Sequence, residues 1–199
     1  MKIKLIFIII LFLSLPNGNS KTQSKNNMKK EYINKIKKQL EESSFKKQEI
    51  NVNSIVVRIY PPLLKIAQKE NGYASKYPNY KAHNKTTKCI GAWQIRSCYM
   101  NFLGYPNVTY EKFIKNPNIF PPKDQLRAVL KLHRDYKKQL GLYFYKYVGK
   151  EICGIKITTD NIIYACHLAG PSNVIAFLES NGEYNPNDGA SSIKDFLVL

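Results

Sequence analysis

Glu70 is the side chain whose setting most suggests chemistry. Ahead of it, Tyr60, Leu63, Leu64 and Ala67 recur at three- and four-residue steps, the spacing of one buried helix face. Pro61 and Pro62 suit the first turn of such a helix, and Gly72 suits its left-handed stop. Glu70 then falls in the last turn, beside Ile66 and Ala67. A carboxylate anion is disfavoured twice there, by apolar neighbours and by the partial negative charge of unpaired C-terminal carbonyls. Both effects favour the protonated acid, the form a general acid must hold near neutrality. From this helix alone a solvated glutamate is the commoner outcome, so the case for an acid rests on residues further along.

Three tyrosines follow closely. Tyr73, Tyr77 and Tyr80 sit in or beside the polar stretch Ala74–Lys88, which reads as loop. Their faces can line a groove for sugar rings; ordinary loop tyrosines are the plainer reading. His83 is a lone loop histidine, read as solvated. His133 lies on an apolar helix stripe and reads as a hydrogen-bonded core histidine. Cys89, Cys98, Cys153 and Cys166 make an even count. In an exported chain that suggests disulfides, with Cys89–Cys98 and Cys153–Cys166 favoured and buried free thiols as the alternative. No two cysteines show close zinc-ligand spacing, so no metal and no cofactor is implied.

The elements that must position these residues are mostly helical. Asp124–Leu140 is the strongest helix, with Leu126, Val129, Leu130, His133, Tyr136 and Leu140 on one face and Gly141 at its end. Leu142–Val148 reads as a further helix. Thr158 or Thr159 can cap a helix through Ile162, Ile163, Ala165, Cys166 and Leu168. Pro171 starts another, and Ser192 with Asp195 resembles a capping box. Gly91–Ile95 opens a helix that carries Tyr99, Phe102 and Leu103. Glu31–Glu42 is an amphipathic helix expected to pack on the domain, and Ser43–Asn53 a polar connection. Ile55–Ile59 suits either a strand or a helical lead-in. Strand signals are sparse, and the expected class is mainly α.

The chain has 199 residues, enough for one domain with a core. Lys2 and Lys4, an apolar run from Leu5 to Leu13, and small polar residues up to Ser20 form a secretory signal pattern. Its apolar part is short for a membrane span. The expected organisation is a signal over residues 1–20, a polar leader with an amphipathic helix over 21–53, and one domain over 54–199. The mature chain is then secreted or periplasmic, with no transmembrane span. The net charge of +17 draws such a chain to polyanions. Export favours an anionic cell wall over nucleic acid, for which no motif is present.

Three short blocks resemble, in order, the signatures of lysozyme-like lytic transglycosylases: Glu70-Asn-Gly-Tyr73, Gly91-Ala-Trp-Gln-Ile95 and Ala165-Cys-His-Leu-Ala-Gly-Pro-Ser-Asn-Val174. The tail Ala169–Leu197 is similar to a phage- and bacterial-type branch of that family. The resemblance spans about residue 55 to the C-terminus. It implies a lysozyme-like α domain that cleaves the β-1,4 bond between N-acetylmuramic acid and N-acetylglucosamine in peptidoglycan. Glu70 matches the family's acid, Gln94 a groove glutamine, and His167 a position where it can orient Glu70 or contact sugar. Asn71 stands where a serine is usual, and His167-Leu168 where Tyr-Asn is usual. A second carboxylate, Glu179 or Asp188, is not required by a substrate-assisted route. Three other readings stand beside this one: a non-catalytic wall-glycan binder, a chitin-cleaving relative, and a cationic toxin acting on membranes or nucleic acid.

Overall fold

A computed structural model of the chain describes residues 22–71, 76–187 and 191–198. The expected signal segment, Tyr73 and Asp188 lie outside them. Among the described residues no single helix is long and apolar enough to cross a membrane.

Thr22–Ile59 is one helix, α1. No glycine or proline occurs between Lys21 and Tyr60, so nothing local interrupts it. The polar connection expected at Ser43–Asn53 is therefore helical, and Ile55–Ile59 extends the same helix. Phe45, Val52 and Val56 are buried and, at seven- and four-residue steps, share a face. They belong to a compact unit that begins at Ser44, earlier than residue 54. The residues before Ser44 form a unit of their own. In it Tyr32, Ile33 and Leu40, the stripe expected to pack on the domain, are exposed.

Within the larger unit, α2 (Pro61–Glu70) starts on its two prolines and ends on Glu70, with Leu63, Ile66 and Ala67 buried. Three two-residue strands follow: β1 (His83–Asn84), β2 (Cys89–Ile90) and β3 (Ile95–Arg96). They form an antiparallel sheet in that order, with Ile90 opposite Ile95 and Cys89 opposite Arg96. The expected loop thus contains a strand, and no helix opens at Gly91. Strands this short leave no alternation to read. A 3-10 turn (Ser97–Tyr99) leads into α3 (Met100–Leu103), and α4 (Tyr110–Lys115) is capped by the Thr109 hydroxyl.

The helical half matches the sequence pattern closely. α5 (Pro122–Leu140) buries Leu126, Val129, Leu132, Tyr136 and Leu140, and α6 (Leu142–Tyr147) follows. β4 (Glu151–Ile152) and β5 (Ile155–Lys156) form a hairpin through Cys153 and Gly154, both at positive φ. α7 (Thr159–Ala169) is capped by a reciprocal Thr158–Asn161 box and buries every residue from Asn161 to Cys166. α8 (Pro171–Glu179) and α9 (Ile193–Leu197) pack against it, α9 starting at the anticipated Ser192–Asp195 box. The class is mainly α with a few short strands.

One polar side chain lies deep in this core. Gln125 of α5 is 1% exposed. Its Oε1 accepts from Ala92 N at 2.9 Å, and its Nε2 donates to Tyr80 O at 2.8 Å and Phe120 O at 2.7 Å. Gly91, at φ +78°, is the residue whose missing Cβ lets this amide approach. Replacing Gln125 with leucine orphans one buried N–H and two carbonyls, each worth roughly 1–3 kcal/mol. The expected loss is about 3 kcal/mol or more, read as a lower urea midpoint. An unmoved midpoint would mean the amide clamps nothing.

Candidate active site

α2 presents Glu70 at its C-terminus, where the helix is closed by Asn71. The Asn71 amide donates to Ala67 O at 2.6 Å and to Ala92 O at 2.8 Å. The first bond adds a second donor to a last-turn carbonyl that the Asn71 backbone N–H also reaches; the second ties that turn to the Gly91–Gln94 loop. The other end of α2 is tied to the same loop, because Trp93 Nε1 donates to Leu63 O at 2.9 Å. Trp93 is itself buried and meets Tyr80 edge to face. The asparagine that departs from the usual serine is thus a strut between the first two sequence blocks.

The third block joins through His167 of α7. Its Nε2 lies 2.8 Å from Trp93 O and its Nδ1 lies 3.1 Å from Nε2 of His133 on α5. A carbonyl can only accept, so His167 Nε2 carries the proton and Nδ1 holds a lone pair. His133 Nε2–H must then be the donor of the second bond. Both rings are neutral in this chain. Burial pushes His167 down to about 4, with the Trp93 carbonyl pulling partly the other way. Burial, and after it the neighbouring His167, hold His133 well below the usual imidazole range.

Glu70, Gln94 and His167 line one groove of about 430 Å³. Gln94 sits at φ +44° and its Nε2 folds back onto Gly91 O at 2.8 Å, which stiffens the turn at the groove edge. His167 does not orient Glu70 by a hydrogen bond, since both ring nitrogens are engaged elsewhere. The groove is otherwise polar, with Asn84, Thr87, Arg96, Tyr99, Tyr136 and Asn173 on its walls. Among its described lining residues Glu70 is the one carboxylate. Glu179 instead hydrogen-bonds the Tyr143 hydroxyl and does not line the groove.

Two of the tyrosines are elsewhere. Tyr80 is 1% exposed and donates to Asn53 Oδ1 at 2.9 Å, so it is core and not a sugar platform. Tyr77 lines a separate cavity with Ile50, Asn53 and Val57. The aromatic face on the groove wall is Tyr99, 43% exposed on the 3-10 turn. Sequence periodicity had put Tyr99 on a buried helix stripe; its place three residues after Arg96, just beyond the second block, was the available signal. Asn173, inside the third block, was quoted there without a role.

The two expected cystines are absent, and all four thiols are free. Cys89 is buried at the groove with Sγ toward Thr87 O at 3.8 Å, while Cys98 is exposed. Cys153 donates to Asn181 O at 2.8 Å, far in environment from fully buried Cys166. Burial raises the Cys166 thiol strongly, as expected of an inert core cysteine. Among the described residues no three His, Cys, Asp or Glu side chains group as a metal site.

Comparison with known protein families, curated protein sequences and solved structures finds no match to this chain.

The neutral histidine pair makes stability depend on pH. Unfolded, both imidazoles take up a proton near 6.5; folded, His167 resists until about 4. Between those values the unfolded chain binds more protons, so stability falls as pH drops through this window. The slope reaches up to about 1.4 kcal/mol per pH unit for each histidine. Urea unfolding between about pH 7 and about pH 4 reads it. His133→Phe should flatten the slope, and an identical slope in that variant counts against the pair.

Proposed function

We propose that this chain is an exported peptidoglycan-cleaving enzyme of lysozyme-like or lytic-transglycosylase type, with Glu70 as its acid and base. The observation that carries this reading is Glu70 as the one carboxylate among the described residues lining a groove that all three sequence blocks reach. The resemblance of those blocks supplies the substrate: the β-1,4 bond between N-acetylmuramic acid and N-acetylglucosamine.

In the first step Glu70 gives its proton to the bridging glycosidic oxygen. The C1–O bond breaks and the leaving sugar departs as an alcohol. Positive charge at C1 is shared with the ring oxygen, and the substrate's own N-acetyl group can assist. Glu70, now a carboxylate, removes a proton from the incoming oxygen. If that oxygen is the sugar's 6-hydroxyl, the product is a 1,6-anhydro end; if it is water, the product is a reducing end. One side chain therefore handles both proton transfers. The positive surface concentrates the protein on an anionic wall, and Tyr99 offers a ring face to the sugar.

Purified wall sacculi test this directly. The parent chain should clear their turbidity, and Glu70→Gln should slow clearance by about 10²–10⁴-fold, the usual worth of a positioned acid. Product masses then separate the two routes, because anhydro and hydrolysed ends differ by one water. Binding to sacculi without clearance by either form would make the chain a glycan binder and overturn the enzymatic reading.

A further inference from the structure

Building on that reading, we propose that Arg96 makes the groove specific for a glycan that carries a carboxylate. On β3 the two residues part company: Ile95 is buried at 3% exposure and Arg96 is exposed along the groove wall. Arg96 is the one lysine or arginine among the described lining residues. The ion pair found among the described residues joins Arg127 to Asp124, and no described carboxylate or carbonyl pairs with the Arg96 guanidinium. Its position is central. Cys89, its partner across the sheet, and Tyr136 of α5 line the same groove as Arg96 and Glu70.

An unpaired guanidinium facing a sugar site discriminates by chemistry. A neutral chain of N-acetylglucosamine would strip water from the cation and offer only hydroxyl and amide oxygens in return. A chain bearing carboxylates supplies the planar acceptor that a guanidinium binds through two parallel N–H···O bonds. Peptidoglycan offers such a group in two places: the lactyl carboxylate of a muramic ring that carries no peptide, and the stem peptide itself, whose attachment turns the lactyl carboxyl into an amide. Chitin offers none. The groove thereby separates the two polymers, although the same acid chemistry would serve either.

Binding in a Glu70→Gln background of the full chain keeps the test independent of turnover. Three probes suffice: peptide-free muramyl glycan with free lactyl carboxylates, the same glycan with stem peptides, and an N-acetylglucosamine hexamer. Adding Arg96→Gln should weaken carboxylate-bearing glycan by about ten- to hundredfold and leave the hexamer within about twofold. Arg96→Lys should fall between. Lys115→Gln removes the same charge from an exposed site outside the groove and should change none of them. Loss confined to the peptide-free probe places the contact at the lactyl carboxylate, loss confined to the peptide-bearing probe places it at the stem, and loss on both shows that the guanidinium takes either carboxylate. Equal loss on all three probes, or no loss on any, overturns the role of Arg96. If the parent chain clears sacculi while Arg96→Gln discriminates nothing, only this inference falls. If it binds selectively but never cleaves, the inference stands and the enzymatic reading falls.

Discussion

The four-residue turn Gly91–Gln94 is the joint on which the site depends. Its polar groups are bonded outward to three helices. Ala92 N–H goes to Gln125 on α5, and Ala92 C=O takes the Asn71 amide beyond α2. The Trp93 indole reaches Leu63 on α2, and Trp93 C=O takes the His167 ring on α7. A turn cannot satisfy its own backbone as a helix does, so buried turn groups must find partners elsewhere. Here those obligations fix where Glu70, Gln94 and His167 stand relative to one another.

This arrangement explains which parts of the molecule were legible in the sequence. Glu70 at a helix end, the face of α5, a threonine cap at Thr158 and the box at Ser192–Asp195 are written in local spacing, and they appear where spacing put them. Gln125 and Asn71 were not legible, because their value lies in partners up to 45 residues away. A glutamine inside an amphipathic helix looks like surface until the fold turns it inward. Tyr80 went wrong for the opposite reason: its loop context is polar, yet Trp93 and Gln125 pull it into the core. The β-sheet escaped notice because each strand is two residues long. The cysteines followed a compositional rule about exported chains, and geometry placed their thiols in unlike environments.

α1 shows the same contrast at larger scale. Its polar middle looks like a linker by composition, since lysine, serine and asparagine dominate it. Helix formation there needs no strong pattern, only the absence of breakers and a few anchors. Phe45, Val52 and Val56 are those anchors. Composition described what the segment exposes, while three side chains decided what it does.

A general acid works only while it keeps its proton, and nearby cations draw that proton off by favouring the carboxylate. The groove around Glu70 limits such cations in two ways. The His133–His167 pair is held toward its neutral form by desolvation, which outweighs the opposite pull of the Trp93 carbonyl on His167. The cation among the described groove residues, Arg96, is exposed and no described residue pairs with it, so a bound carboxylate could cancel its charge. On the proposed reading, the free groove presents a positive charge that would attract a carboxylate-bearing glycan, and the occupied groove would present one fewer. Substrate binding itself would complete the conditions under which a lone glutamate can act as an acid.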